Sequence, residues 1–463
     1  MDNKETAVID LGIIPYGMVE AFVQNSHYNI IFIGKQSQLK QFNNYSINNE
    51  IIDYDELLKE PLDNHASSDL YSKIYADIVN DCRTLLIAER CSFRYGFRSD
   101  HNDLALIDNM INHYLSFFKG RNVKFVFYQA CPHALYSWVF ANVADYLGIK
   151  VFLTFNSIFF WRNFLIEGIK NENIVGINND EEKDSLVNTY IEKVNKKYED
   201  AQPEYEKERM KKRKKSLLSW KEEYKVIIKN PKKLSFLPLK RKLYKNFLKY
   251  VETPSLDEKY VILFLHYQPE RTSLPEGRLF ANQIHIVNTI HKALPKGWKL
   301  YVKEHPATFT NSSDYDPRYR DLNFYKYIAQ LSDTTLVDLR VDSFTLIDNC
   351  QCLATITGTV GGEGLLRGKP VLTFGNAPYR EHKYVFDVNN VEDVRNALRA
   401  INNVTIEDVK NETYNVYVPY VIKNSISGVT QIISIDETYS DEVRNLSIGK
   451  CLGQLLTNQV KLD

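Results

Sequence analysis

Short apolar runs alternate with helix-like patterns along two stretches of this chain, residues 7–154 and 260–401. Strands that alternate with helices call for βαβ units, and hence for mostly parallel sheets with helices on their faces. In the first stretch, residues 7–11, 28–34, 84–88, 123–128 and 150–154 read as strands, and 134–147 as an amphipathic helix closed by Gly148. In the second, 260–265, 299–302, 335–338, 352–356 and 370–375 read as strands. Helices are expected there at 280–294, 324–331, 343–349, 362–367 and 391–401, the last with Asp387 or Asn389 at its start. At 463 residues the chain exceeds what one hydrophobic core usually serves, so the two stretches are expected to be two α/β domains.

Residues 180–250 have a different character. They are rich in Lys and Glu and read as helical, and the second part is basic, with Lys211, Lys212, Arg213, Lys214 and Lys215 followed by scattered lysines. Trp220, Phe236 and Phe247 lie among those charges. Such a segment either lies on an anionic membrane or packs its apolar face on the protein body. Over the whole chain Lys plus Arg equals Asp plus Glu at 58 each, so net charge names no partner. No recognised nucleic-acid module accompanies the basic segment, and nucleic acid is not expected as a partner. The chain opens without a basic, then apolar, leader, and it holds no run of about 18 apolar residues. The expected location is the cytoplasm, with peripheral contact at the inner face of the membrane through 211–249. The six cysteines show no zinc or C-x-x-C spacing and are expected to be reduced thiols.

In open α/β sheets ligands bind outside the carboxyl ends of the strands, and polar groups collect there in this chain. His266-Tyr267-Gln268-Pro269-Glu270 follows the first strand of the second half. Lys303-Glu304-His305-Pro306 follows the next, where Pro306 halts the backbone and leaves the imidazole of His305 at the strand end. A histidine so placed can pair with a phosphate. Thr357-Gly358-Thr359-Val360-Gly361-Gly362-Glu363 opens a helix after a third strand, offering hydroxyls, small residues and backbone N–H groups to an anion. Glu363 can accept hydroxyls of a ribose or sugar. The spacing matches neither a Walker A loop nor the dinucleotide fingerprint. In the first half His133, Arg162, and Glu89 with Arg94 follow expected strands and are candidates for the acceptor side. No acidic metal motif stands in a convincing place, and neither metal nor cofactor is expected.

The runs from His266 to Glu270, from Val302 to Pro306, and from Thr355 to Glu363, with Gly368-Lys369-Pro370-Val371 and Phe374-Gly375, resemble the capsule polysaccharide biosynthesis proteins. Pro132-His133 and Leu147-Gly148-Ile149 resemble them in the first half. That family is related to bacterial transferases of Kdo and sialic-acid-like sugars. The resemblance implies a GT-B fold, two Rossmann-like domains facing across a cleft, with the charged helical stretch as an insert. The corresponding boundaries are 1–175 for an acceptor domain, 176–254 for the insert, 255–425 for a nucleotide-donor domain and 426–463 for a helical tail. It also implies a metal-independent glycosyltransferase using a nucleotide-activated, CMP-linked donor. His266, Glu304, His305, Thr357, Gly358, Thr359, Gly361 and Glu363 would hold the donor, His305 would stabilise the leaving phosphate, and Glu270 and His133 are the candidate bases. The acceptor would be a glycan or glycolipid. The alternatives are a CDP-polyol phosphotransferase of the teichoic-acid type and a non-catalytic glycan-binding scaffold.

Overall fold

The computed structural model describes residues 5–12, 23, 27–39, 50–59, 68–95, 100–169, 173–177, 184–195, 237–309 and 319–427. Those up to 177 and from 421 onward form one compact unit, and those from 184 to 420 form a second.

The first unit is built on β1 (Thr6–Asp10), β2 (Asn29–Gly34), β3 (Glu50–Asp53), β4 (Val123–Tyr128), β5 (Lys150–Asn156), β6 (Arg162–Glu167) and the short β7 (Asn173–Ile174). The strand order is β6-β5-β4-β1-β2-β3, with β7 paired to β6. From β5 to β3 every pairing is parallel, whereas β6 folds back antiparallel on β5. β1 is buried along its whole length, as a central parallel strand covered on both faces must be.

Residues 84–88 are not a strand. They belong to the helix Cys82–Tyr95. Thr84, Ile87 and Ala88 are buried while Leu85 and Glu89 are exposed, so the apolar run carries a helical period. Thr84 accepts a 2.9 Å hydrogen bond from the indole of Trp138, on the almost wholly buried helix Leu135–Tyr146.

The second unit holds β8 (Val251–Glu252), β9 (Tyr260–Phe264), β10 (Lys299–Lys303), β11 (Thr334–Val337), β12 (Cys352–Thr355), β13 (Val371–Thr373) and β14 (Val385–Asp387). They form one all-parallel sheet in the order β14-β13-β12-β9-β10-β11-β8. Several of its helices start on side-chain caps. Asn390 and Asp393 make a reciprocal capping box at the helix Val391–Ile401, and Asn282, Asp321 and Asp342 cap three others. The helix therefore starts at Asn390, one residue beyond the expected Asn389.

The described ends of the charged stretch both belong to this second unit. The helix Ser185–Val194 meets it where the Val194 carbonyl accepts a 2.5 Å bond from Arg367. The helix Leu237–Phe247 buries Leu243 and Phe247 completely in the unit's hydrophobic core. Phe247 is thus a core residue and is closed to a membrane surface. Residues 196–236, which include Lys211–Lys215, Trp220 and Phe236, lie outside the described residues.

The last described residues return to the first sheet. β15 (Ile426–Ser427) pairs antiparallel with β6, so the expected helical tail begins as a strand. Both units are Rossmann-like, each a largely parallel sheet in an α/β arrangement.

Candidate functional site

In the second sheet β9 and β12 are neighbours, but β9 leads on to β10 on one side and β12 to β13 on the other. Their carboxyl ends therefore bound a topological switch point, where a doubly wound sheet opens a crevice. His266 stands just past β9, and its Nε2 lies 3.0 Å from the hydroxyl of Thr355 at the end of β12. The Thr357 N–H also donates to Nε2 at 3.4 Å. Nε2 is thus an acceptor, and the ring is neutral. Burial holds its pKa down to about 3, helped by the charges of His305 and Arg320. His266 fastens the floor of the crevice and is closed in by protein.

Glu304, at the end of β10, is 1% exposed. Its carboxylate accepts from Arg320 Nε and from the hydroxyl of Tyr325, both at 2.7 Å, from the N–H of His305 at 2.7 Å and from Thr308 at 3.2 Å. Arg320 donates onward to Gln268 and to the His266 carbonyl, each at 3.1 Å, and stacks 4.2 Å over the Phe324 ring. Gln283 completes the network through both backbone groups of His266. Both oxygens of Glu304 are occupied by protein donors, so it does not serve a nucleotide ribose as the sequence suggested. It holds the loop from which His305 projects.

His305 is half-buried beyond that ion pair. The N–H of Ala307 donates to its Nδ1 at 3.1 Å, which puts the proton of the neutral ring on Nε2. The imidazole is thereby preset as a donor. Lys303, next to the motif, turns away and donates to the carbonyls of Asp338, Leu339 and Val341 at 2.7–3.3 Å. Burial lowers its pKa to about 8.

The helix Thr359–Leu366 starts from Gly358 at the same edge. A Cβ on Gly358 would lie 2.8 Å from Thr355 Oγ1 and 3.3 Å from His266 Nε2, so only glycine fits between them. Gly361 has a different role from the expected approach to a ligand. A Cβ there would lie 2.1 Å from the hydroxyl of buried Tyr379, which donates to the Gly358 carbonyl at 2.7 Å. Thr357 is buried and donates to the Thr272 carbonyl at 3.3 Å, while Thr359 is exposed on the first turn. Glu363 is half-buried on the next turn, and burial raises its carboxyl to about 7 against the lowering effect of Arg367. Glu270 is exposed on the turn after β9, accepting from Thr272 at 3.1 Å.

Of the residues assigned to the second half, His266, Glu304, His305, Thr357, Gly358, Thr359, Gly361 and Glu363 meet at one strand edge. Arg320, Gln283 and Tyr379 went unnoticed in the sequence.

The first-half candidates do not share a setting. Glu89 and Arg94 lie on the helix Cys82–Tyr95 and follow no strand. His133 is exposed in the turn before the helix Leu135–Tyr146, its Nδ1 3.2 Å from the Cys131 carbonyl. Arg162 is fully buried at the start of β6. It donates to Ser425 Oγ and Ser427 Oγ, each at 2.9 Å, and to the Ile422 carbonyl at 2.8 Å. Arg162 clamps the returning chain to the sheet and is not open to an acceptor.

Residues 280–415 match the family model described as capsule polysaccharide biosynthesis protein, and this stretch contains His305 and Thr357–Glu363. The second unit carries the capsule polysaccharide biosynthesis signature. Among solved structures, the UDP-GlcNAc 2-epimerase of Methanocaldococcus jannaschii is similar at 12% identity, covering 99% of this chain and 100% of that one with a TM-score of 0.26. The calicheamicin glycosyltransferase CalG4 is similar at 10% identity, covering 91% and 96% with a TM-score of 0.26. Thermosulfurimonas dismutans KpsC, a β-Kdo 2,7 transferase, is similar at 12% identity, covering 69% and 90% with a TM-score of 0.26. No curated protein matches significantly. Among the described residues no helix is long and apolar enough to cross a membrane.

Proposed function

We propose that this protein is a glycosyltransferase of cell-surface polysaccharide assembly, capsular or lipopolysaccharide in type. In this reading a CMP-linked donor binds the capsule-synthesis unit, and a Kdo or sialic-acid-like sugar passes to a glycan or glycolipid. The observation that carries it is the placement of His305 at the switch-point edge, within the stretch that matches the capsule family. His305 Nε2 donates to the phosphate and takes up charge as the nucleotide leaves. The first turn of the helix Thr359–Leu366, with the Thr359 hydroxyl, supplies further donors to the same phosphate. Glu363 accepts from ribose or sugar hydroxyls. The phosphate charge is met by these groups, so the reaction needs no metal.

In this reading the acceptor is held by the first unit. The peripheral contact with the inner face of the membrane expected of 211–249 narrows in this reading to 211–236, because Leu243 and Phe247 are taken up by the core. Product analysis tests the assignment. CMP-Kdo should yield CMP and a glycoside free of phosphorus, in the presence of EDTA. A product that keeps phosphate after reaction with a CDP-polyol would move the protein to the polyol phosphotransferases.

A further inference from the structure

The loop that follows β9 is tied to the first residues past β12 and β13, all within the second unit. The Thr272 carbonyl accepts from the hydroxyl of Thr357 at 3.3 Å, and the Glu276 carbonyl from the N–H of Asn376 at 3.0 Å. Two glycines set how closely the chain packs there. A Cβ on Gly375 would lie 2.6 Å from the Glu276 carbonyl oxygen, and one on Gly277 would lie 2.4 Å from that of Ser273. Loop and strand ends therefore meet at fixed positions, on the same edge as the helix start at Thr359.

Three side chains at this junction keep hydrogen-bonding capacity that no described residue uses. Glu276 is 3% exposed, and its Oε1 makes no hydrogen bond. Arg271 Nε lies 3.1 Å from that oxygen as an ion-pair partner but out of line for donation. Among the described residues nothing accepts from the two Nη groups of Arg271. Its side chain is 26% exposed, so the pair opens to solvent at the guanidinium. Asn376 is 6% exposed, and its side-chain amide has no partner among the described residues.

Burial raises the Glu276 carboxyl, and the Arg271 charge only partly offsets this. A buried carboxylate without a hydrogen-bond donor costs stability, and such groups in a crevice mark ligand sites. The pattern of the groups selects the ligand. A guanidinium beside a carboxylate is neutral as a pair and does not suit a phosphate. It sets donors next to an acceptor. Cytosine carries the complement on one edge, with the N4–H₂ donor followed by the N3 and O2 acceptors, and a carboxylate accepts well from N4. Uracil has the acceptor O4 in place of that amine and a donor N–H in place of N3, so both would face groups of their own kind.

We propose that Arg271, Glu276 and Asn376 form the base pocket of the donor site and select cytosine. This rests on the nucleotide-donor part of the glycosyltransferase reading. Glu276 accepts from the N4–H₂ group, Arg271 donates through Nη to N3, and the Asn376 amide donates to O2. The base then lies on the edge whose helix start, at Thr359, takes the phosphate.

Calorimetric titration of the full chain with CMP and with UMP tests this. The wild type should bind CMP about tenfold or more tightly than UMP. In Glu276→Gln the amide can turn to accept from N4 or to donate to O4, so UMP should bind better and the preference should shrink to about threefold or less. Asn376→Ala should weaken both nucleotides by a similar factor, since both carry O2. A merely structural ion pair would weaken both alike in Glu276→Gln and leave their ratio unchanged. An unchanged ratio in that variant, or equal affinity of the wild type for the two nucleotides, overturns the pocket. If Glu276→Gln does not fold, the wild-type ratio and Asn376→Ala still decide. A cytosine-selective wild type that transfers no sugar counts against the glycosyltransferase reading and leaves the pocket standing, whereas binding of neither nucleotide removes both.

Discussion

His266 Nε2 lies 3.0 Å from Thr355 Oγ1, tying the carboxyl end of β9 to that of β12 across the switch point. Because the ring is buried and neutral, with a pKa held down to about 3, this tie depends on pH. The unfolded imidazole titrates near 6.5 and takes up a proton that the folded ring refuses. Stability is therefore full above about pH 6.5 and is lost as the pH falls toward 3. His266 alone should account for about 2 kcal/mol between pH 7 and pH 5. Urea unfolding of wild type and His266→Asn at the two pH values measures this, because the variant keeps buried His382 and every other titrating group. An equal fall in both proteins would remove His266 as the cause.

Glu304 and His305 are adjacent but should respond oppositely to truncation. Glu304→Ala leaves the guanidinium of Arg320 buried without its carboxylate, a loss of about 3–5 kcal/mol. His305→Ala removes a half-buried ring and should leave the unfolding midpoint nearly unchanged while transfer falls about 10²–10³-fold. Denaturation curves and initial rates on both variants separate the two roles. A stable Glu304→Ala protein would show that the ion pair does not hold the loop.

Gly361→Ala sets a methyl group 2.1 Å from the Tyr379 hydroxyl. Either the helix start or the tyrosine must shift, at about 1–3 kcal/mol. A lowered melting temperature is expected. An unchanged one would mean that the start of the helix Thr359–Leu366 yields freely.

Much of the second sheet was legible because buried parallel strands read as unbroken apolar runs between turn residues. The same rule failed at 84–88, where Leu and Ala favour a helix and the burial of Thr84, Ile87 and Ala88 has a period that five residues hardly reveal. The convergence of His305, Thr357 and Glu363 at one edge followed from strand ends alone. The engagement of Glu304 did not, since Arg320 lies 16 residues away on no recurrent spacing. Arg162 misled for the same reason, as its partners Ser425 and Ser427 are more than 260 residues distant.

Glu363 should make nucleotide affinity depend on pH. Its carboxyl is raised to about 7, so it ionises as the pH passes upward through neutrality, and the ionised form is the better acceptor for ribose hydroxyls. CMP affinity is expected to rise from pH 6 to pH 8 in the wild type and to stay flat in Glu363→Gln. Parallel curves for the two proteins would place the carboxylate away from the nucleotide.

The most direct measurement is calorimetric titration of the full chain with CMP, CDP and UDP, repeated with His305→Ala. The account predicts that CMP binds in the presence of EDTA, more tightly than UDP, and that affinity falls about tenfold or more in a variant whose melting temperature is unchanged. Failure to bind any of the three nucleotides, or equal binding with and without the His305 imidazole, would contradict it.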